Sequence, residues 1–307
     1  MQPDAVAAMI AAGRPLLIAG DESLLTALPR GRWIGGTAPL PPEADGVADL
    51  LVVTELPETA TTVAIRSYDA ATLPRIAGSA SENGFTVLVL PAFTPLHTAY
   101  AEGIFRFEGI FDRPLVGWIA GVGPEHAGNR TPKVFDGLSG TASDRMAVAV
   151  HVVLPPRLTP RVHVVNPHRA GGSDELVFTR PGFSARHCMA NGKPVELIGY
   201  MRERGIAPGR PLVANCFGTP VNVSIRAMDE EAGEVHFCAP VFQHLRYRFA
   251  DPLAPGAGPR LPDGVRPAFA CGCVLEDGSA TGLLGFGEIA YMAHNQTLVY
   301  LTIDAAG

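Results

Sequence analysis

The stretch CGCVLEDGSATGLLGFGEIAYMAHNQTLVYL, residues 271–301, places polar and glycine residues between two apolar runs. Its landmarks, in order, are two thiols, a polar turn, a glycine–glutamate step and a short polar segment: Cys271 and Cys273, residues 276–279, Gly285 to Glu288, and His294 to Thr297. Glycine lets a backbone approach whatever lies opposite more closely than other residues allow. The stretch therefore predicts strands whose backbone and polar side chains close around a neighbouring group.

Composition limits the class of protein. The chain has 307 residues, of which 47% are hydrophobic and 18% charged, so it can bury a core large enough for two domains or two halves of one unit. The net charge of −6 argues against a nucleic-acid partner, because phosphate binding needs clustered Lys and Arg, and no basic run occurs. No apolar run approaches the roughly 20 residues of a membrane-spanning helix. We therefore expect no nucleic-acid binding and no membrane insertion.

The N-terminus and the cysteines predict a cytoplasmic protein. The first residues lack a basic region and include Asp4, which favours a short helix over a signal peptide. The five cysteines are odd in number and all lie from residue 188 onward. Without an export signal, the expectation is reduced thiols.

The order of predicted elements indicates an α+β fold. Helices and strands are mixed up to a Pro-rich connection at residues 155–160, whereas strands dominate after Pro211. We expect two halves, each with a mixed or antiparallel sheet and packed helices, forming one compact unit. The predicted halves are residues 1–160 and 175–307.

Several local signals are specific enough to be tested. Residues 85–90 (FTVLVL) predict a strand covered on both faces. Asp21 and Thr94 are predicted helix N-caps, and Pro194 is predicted to open a helix that Gly205 closes. Residues 49–55 and 61–67 predict two strands of a hairpin, residues 241–249 one strand, and the turn 276–279 a link to a strand over 281–287.

Six segments together resemble a known family, the FIST domains, which are bacterial sensory modules of signal-transduction proteins. The ending from Gly285 to Ile289 and from His294 to Thr297 is similar to the close of these domains. Further similar segments are the cysteine strand at Cys271–Cys273, the step from Asn191 to Pro194, the two glycine-rich strand ends at Trp33–Thr37 and Val116–Gly121, and the turn at Asp136-Gly137. The resemblance spans residues 14–303.

The resemblance implies a stand-alone sensor that binds a small molecule. Small metabolites such as amino acids are the ligands proposed for the family, and some members are described as haem-binding gas sensors. Because no kinase, cyclase or methyl-accepting module follows in this chain, we expect a separate signalling partner. The predicted ligand site lies near the junction of the halves and consists of Gly35, Gly36, Thr37, Gly117, Gly121, Cys271, Cys273, Gly287, Glu288, His294 and Asn295.

Glu288 and a histidine in a strand have two interpretations each. In the functional interpretation, the carboxylate of Glu288 recognises the amino group of a ligand or acts as a general base. In the structural interpretation, it accepts backbone hydrogen bonds or pairs with an arginine such as Arg246 or Arg248. His151, within the predicted strand 146–154, is either a satisfied core residue or a ligand.

A haem or metal sensor is the alternative function. His236 and Cys238 have the same spacing of two as Cys271 and Cys273, so each pair shares one side of a strand. If these strands pair, four ligands suited to tetrahedral zinc converge. Otherwise the thiols are either buried core residues or thiols that face a ligand or take part in redox chemistry. For haem iron, the histidines to test are His244 and His294.

Two further patterns remain open. In residues 242–249, alternation places Phe242, His244, Arg246 and Arg248 on one face, which is either a solvated cationic face or one wall of an anion pocket. The second alternative function is a cysteine-dependent enzyme that uses Cys216 or Cys273. The sequence contains no Gly-x-Ser-x-Gly motif, which would support a hydrolase, and no Walker loop, which would support nucleotide binding.

Overall fold

Residue contacts divide the chain into two units. The computed structural model describes residues 1–38, 50–123, 129–254, 256–273 and 283–305. The first unit comprises Met1–Val165, Arg260–Ala293 and Leu298–Gly307, and the second comprises Asn166–Pro259 and His294–Thr297. The predicted turn at 276–279 and the start of the predicted strand 281–287 lie outside the described residues.

The strands are short and numerous, as the turn spacing predicts. In chain order they are β1 Leu16–Gly20, β2 Trp33–Thr37, β3 Val52–Glu55, β4 Thr62–Tyr68, β5 Gly84–Pro91, β6 Leu115–Ala120, β7 Val134–Asp136, β8 Thr141–Ser143, β9 Ala147–Val153, β10 Leu158–Val165, β11 Leu176–Val177, β12 Gly182–Ala185, β13 His187–Ala190, β14 Lys193–Glu196, β15 Leu212–Cys216, β16 Thr219–Val223, β17 Ile225–Asp229, β18 Glu234–Val241, β19 Tyr247–Phe249, β20 Phe269–Cys273, β21 Leu283–Gly285, β22 Gly287–Ala290, β23 Met292–His294 and β24 Leu298–Ala305. The α-helices are α1 Pro3–Ala11, α2 Glu22–Ala27, α3 Pro95–Gly103 and α4 Leu197–Glu203, with 3₁₀ turns at Leu73–Ser79 and Ile104–Arg106.

Mixed and antiparallel sheets carry the fold, which confirms the α+β class. In the described part of the first unit, the strand orders are β3-β1-β2-β7-β8, β23-β22-β6-β5-β9-β4 and β10-β24-β20-β21. Parallel pairs join β1 to β2, β5 to β6 and β20 to β21. The antiparallel pairs are β1–β3, β2–β7, β7–β8, β4–β9, β5–β9, β6–β22, β10–β24 and β20–β24.

The last strands of the chain pair with strands of the first unit, whereas residues 175–307 were predicted to form one separate half. Strand β22 pairs with β6, and β24 pairs with β10 over its whole length. The break near residue 165 lies within the predicted boundary region, but the second unit ends at Pro259 apart from residues 294–297. Apolar alternation shows which face of a strand is buried but not which strand lies beside it. The sequence therefore did not predict that β22 and β24 pair with strands of the first unit.

Strand β5 is buried along its whole length, as predicted. On one face, Val87 and Val89 pack in a core with Trp118. On the other face, Leu88 and Leu90 pack in a second core with Tyr100. The apolar run without polar alternation is explained by this burial on both faces.

His151 is a core residue of the first unit. Its Nε2 lies 2.7 Å from the Tyr68 hydroxyl and its Nδ1 lies 2.9 Å from the Thr86 hydroxyl, so both ring nitrogens have partners. Burial lowers the pKa of His151 to about 4, which keeps the ring neutral at pH 7. The core interpretation of His151 is therefore the one that the structure supports.

The predicted caps are present, and one helix start is corrected. The Ser23 amide donates to Asp21 at 2.8 Å, and the His97 amide donates to the Thr94 hydroxyl at 3.3 Å. Pro194 does not open a helix, because it pairs with Met189 in the β13–β14 ladder and α4 begins only at Leu197. Gly205 follows that helix with a φ of +62°, as expected of a residue that ends a helix.

Two other local predictions are wrong. Residues 49–55 and 61–67 do not form a hairpin, because β3 pairs with β1 and β4 pairs with β9. The single strand expected over 241–249 is broken by a turn between β18 and β19. Both errors concern pairing or continuity, which depend on tertiary contacts and not on local propensity.

The second unit contains its own sheets and aromatic core. Its described strand orders are β14-β13-β11-β19-β15-β16 and β12-β18-β17. Phe178 packs edge-on against Phe237 and Tyr247, with ring centroids 5.9 and 5.4 Å apart. The Tyr247 hydroxyl accepts the Phe242 amide at 2.9 Å, which satisfies the polar end of a buried ring.

Among the described helices of both units, none is long and apolar enough to cross a membrane.

Candidate functional site

A cavity of about 570 Å³ lies in the second unit. We call it the arginine cavity, because three of its lining residues are arginines. It is lined by Asn166, His168, Arg169, Ala170, Glu175, Val213, Ala214, Asn215, Pro220, Arg246 and Arg248. Its volume lies within the range typical of small-molecule sites, about 300–1,000 Å³.

Strand register explains why residues distant in sequence meet here. Val213 of β15 lies directly opposite Arg248 of β19 on one side and opposite Asn222 of β16 on the other. Asn215 lies opposite Pro220 in the same hairpin. Because residues two apart on a strand share a face, these side chains occupy one face of the sheet. This face forms a wall of the arginine cavity.

The opposite face of the same strands is apolar. Tyr247 and Phe249 alternate with the arginines and are 0% and 1% exposed. Leu212 and Leu176, their neighbours on β15 and β11, are also buried. The Tyr-Arg-Phe alternation thus divides β19 into a core face and a cavity face.

Two arginines of the cavity are held by neighbouring groups. Arg246 forms an ion pair with Glu175, and Arg248 donates to the Ser173 carbonyl at 2.5 Å. Each guanidinium has five N–H donors in a planar fork, so most donors remain for another acceptor. Alternation predicted that Phe242, His244, Arg246 and Arg248 share one face of a strand, but only Arg248 lies within β19, and of the four only Arg246 and Arg248 line the cavity. Phe242 and His244 precede β19, and His244 is exposed in the turn.

The third arginine comes from the segment that follows β10. Arg169 accepts the Asp251 amide with its carbonyl at 3.1 Å, and Ala170 bridges to Ala250. These contacts hold the segment beside the end of β19, where Asn166 and His168 also line the cavity. This connection has no periodic pattern of apolar residues, so Asn166, His168 and Arg169 were not predicted as site residues.

An asparagine pair links the cavity lining to a buried part of the second unit. The amide of Asn166 donates to Asn222 at 2.9 Å, and the amide of Asn222 donates to Asn166 at 3.1 Å. Asn222 is 1% exposed and also donates to the Asn295 carbonyl at 3.0 Å. One buried side chain therefore joins a cavity-lining residue to the segment His294–Thr297.

The structure places His294 and Asn295 in the second unit and the other residues of the predicted ligand site in the first. Both are 1% exposed. Asn295 contacts Asn222 through its carbonyl, so it lies one side chain away from the arginine cavity. Of the predicted ligand-site residues, Asn295 is thus the one that a hydrogen bond of Asn222 connects to this cavity.

The predicted glycines of the first unit serve close packing. A Cβ on Gly117 would lie 1.9 Å from the Leu88 carbonyl oxygen, and one on Gly35 would lie 2.7 Å from the Ile18 carbonyl oxygen. A Cβ on Gly36 would lie 2.9 Å from Ala120. Neighbouring protein atoms fill the space at these glycines, which supports their interpretation as packing residues.

Thr37, the last residue of β2, and Gly121, the residue after β6, lie next to each other. The Gly121 amide donates to the Thr37 carbonyl at 2.8 Å. A Cβ on Gly121 would lie 2.3 Å from the ring of Phe286. The two predicted strand ends therefore do come together, but a phenylalanine occupies the space beside Gly121.

Glu288 and the cysteine strand lie together in the core of the first unit. Glu288 is 0% exposed and lies opposite Trp118, while Gly287 lies opposite Ile119. Burial, and then the nearby Glu288 carboxylate and Cys273, raise the pKa of Cys271 well above its usual range. Glu288 belongs to the first unit and does not line the arginine cavity. The carboxylate that forms an ion pair with Arg246 is that of Glu175.

The predicted zinc ligands are not brought together by strand pairing. His236 and Cys238 lie on β18, which pairs with β12 and β17, whereas Cys271 and Cys273 lie on β20, which pairs with β21 and β24. In the residues that the structure describes, no cluster of three or more His, Cys, Asp or Glu side chains is arranged to hold a metal ion.

None of the five cysteines forms a disulfide, and all five are buried. Burial raises the pKa of Cys188 and of Cys238 to about 12, and it also raises the pKa of Cys216. A thiol whose pKa is raised carries little thiolate at neutral pH, and the thiolate is the nucleophile. This environment disfavours nucleophilic catalysis by Cys216.

We therefore expect the thiols of the folded protein to react slowly with a disulfide reagent such as DTNB at pH 7.5. In denaturant, all five cysteines should react rapidly, because unfolding exposes them. Release of one equivalent of chromophore in the fast phase of the folded protein would instead support a cysteine-dependent enzyme. Cys216→Ser and Cys273→Ser variants would then identify the reactive thiol.

Sequence comparison gives a family without an assigned activity. A model described as "Family of unknown function (DUF6976)" matches residues 1–304. No curated protein and no solved structure matches the chain.

Proposed function

This chain belongs to DUF6976, a family of unknown function, and from its own site we propose that it is a cytoplasmic sensor that binds a small anionic molecule in the arginine cavity. The observation that supports this proposal most directly is the set of three arginines around a cavity of about 570 Å³. Guanidinium groups bind carboxylates and phosphates through paired charge-assisted hydrogen bonds.

The cavity is also prepared to orient a ligand. Arg248 is half-buried and donates to the Ser173 carbonyl, so its side chain loses little freedom when an anion binds. Asn215 accepts the Gly218 amide with its side-chain oxygen at 2.6 Å, which leaves its amide nitrogen as a donor. Small-molecule sites commonly combine an apolar surface, here Val213 and Pro220, with a few such polar groups.

The sensor part of the proposal rests on sequence resemblance and on one contact network. The segments similar to FIST domains include His294–Thr297, and Asn222 joins this segment to cavity-lining Asn166. We propose that ligand binding changes the position of Asn166 and, through Asn222, that of residues 295 and 296. A separate signalling protein would then recognise the altered state.

A thermal-shift screen of small molecules tests the binding proposal. At a concentration of about 100 times Kd, an anionic ligand is expected to raise Tm by about 4 °C. Neutral and cationic analogues of the same size should give no shift. The shift should be lost in Arg248→Gln and retained in Arg180→Gln, because Arg180 is an exposed arginine of the second unit that does not line the cavity.

Two outcomes would contradict the proposed site. One is a ligand whose shift persists in Arg248→Gln, which would place its binding elsewhere. The other is a screen in which cationic molecules stabilise the protein as well as anions do.

A further inference from the structure

We infer that the ligand of the arginine cavity is a small organic dianion whose two anionic groups are separated by a short chain; this inference rests on the proposed function. The lining contains three guanidinium groups and one carboxylate, so two positive charges are left without an internal counter-charge. A ligand with two negative charges balances them.

The distribution of these charges favours two anionic groups over one. Arg248 lies on β19 and Arg246 lies just before it, two residues away in the chain, so their Cα atoms are at most about 7 Å apart. Arg169 comes from a different segment, and no ion pair of its side chain occurs among the described residues. Glu175 already compensates Arg246, which leaves the charges of Arg248 and Arg169 for the ligand.

The remaining polar groups suit the same class of ligand. The Asn215 amide nitrogen provides a neutral donor on the same face as Arg246 and Arg248. Val213, Ala170 and Pro220 provide apolar surface that a short carbon chain can contact. A cavity of about 570 Å³ is much larger than a single inorganic ion needs, so the inferred ligand is organic.

Isothermal titration calorimetry with matched pairs of acids tests this inference. Succinate, glutarate and adipate are compared with butyrate, valerate and hexanoate, so that each pair has the same number of carbons and differs by one carboxylate. Inorganic phosphate tests the contribution of charge without a carbon chain. At least one dicarboxylate should bind about 10-fold or more tightly than its monocarboxylate partner, as expected for a further charge-assisted hydrogen bond.

Arginine variants identify the side chains that bind the second carboxylate of the ligand. Arg248→Gln and Arg169→Gln should each remove the preference for the dicarboxylate, while binding of the monocarboxylate changes less. Arg180→Gln should retain the preference, because this exposed arginine lies outside the cavity lining. Reduced binding of both acids by the same factor in Arg248→Gln would contradict a separate site for the second charge.

The possible failures are distinguishable. Equal affinity for dicarboxylates and monocarboxylates, with loss of both in Arg248→Gln, would overturn the dianion inference and leave the proposed anion site intact. Absence of binding heat from every acid and from phosphate would overturn the proposed anion site as well. Tighter binding of phosphate than of every dicarboxylate would overturn the requirement for two separated groups.

Discussion

Replacing Gly117 with alanine is expected to lower the free energy of unfolding of the first unit by about 3 kcal/mol, the upper part of the range for overpacking. Gly117 of β6 lies opposite Leu88 of β5, and an added Cβ would lie 1.9 Å from the Leu88 carbonyl oxygen. It would also lie 2.9 Å from the Leu88 amide nitrogen, so the obstacle is backbone. Backbone in the centre of a sheet buried on both faces cannot move aside cheaply.

Tryptophan fluorescence during urea unfolding measures this effect. Both tryptophans of the chain, Trp33 and Trp118, are buried in the first unit, so their fluorescence reports its unfolding. Gly78→Ala is the matched control, because no atom lies within 4 Å of an added Cβ there. We expect this control to change the unfolding free energy by no more than about 0.5 kcal/mol.

The Gly117 variant also separates two interpretations of the predicted site. If Gly117 lined a ligand site, alanine would weaken ligand binding and leave stability nearly unchanged. If the glycine serves strand packing, stability falls. A Gly117→Ala protein as stable as the Gly78→Ala control would contradict the packing interpretation.

Replacing Asn222 with aspartate is expected to lower the free energy of unfolding of the second unit by about 3 kcal/mol at pH 7. The substitution keeps the side-chain shape but removes the amide donor. The carboxylate would face the carbonyl oxygens of Asn295 and Gln296, which accept from Asn222 at 3.0 and 3.4 Å. Asn222 is 1% exposed, so water cannot replace the lost donor.

The pH dependence of this variant provides a second readout. Burial beside carbonyl oxygens should raise the pKa of the new carboxyl group above its unfolded value, because only the protonated form can donate. The unfolded state then releases its proton at a lower pH than the folded state, so the penalty is present above the folded pKa and is relieved as the pH falls below the unfolded pKa. Wild type should lack this relief, which urea unfolding by circular dichroism at several pH values would show.

Asn215→Asp is the control for the Asn222 variant. Asn215 is exposed and uses its side-chain oxygen to accept the Gly218 amide, which an aspartate can also do. Its stability should therefore stay close to that of wild type. If Asn222→Asp were as stable as Asn215→Asp at pH 7, Asn222 would not hold the segment 294–297 as we propose.

Local patterns in the sequence predicted much of the secondary structure. The apolar run of β5 indicated burial on both faces, and Asp21 and Thr94 indicated helix starts, because each of these signals depends on residues close in sequence. The alternation around Arg246 and Arg248 predicted that these side chains share a face. Pairing between distant strands, such as β22 with β6 and β24 with β10, was not predicted, because any strand with one apolar face fits several partners.

The candidate site was predicted less well than the fold. A glycine in a strand indicates that another group approaches its backbone closely. Because both a ligand and a neighbouring strand require glycine for this reason, a single sequence does not distinguish between them. Gly117 illustrates this ambiguity, because Leu88 fills the space beside it. The segment with Asn166 and Arg169 has no periodic pattern, so its place beside β19 follows only from the folded structure.

The central claim is that an anionic small molecule binds in the arginine cavity, and calorimetric titration of the best anion from the screen tests it most directly. Wild type and Arg180→Gln should give the same binding heat and the same Kd. Arg248→Gln should weaken binding by about 10-fold or more, as expected for loss of a charge-assisted hydrogen bond. Equal affinity of all three proteins for the anion would contradict the claim.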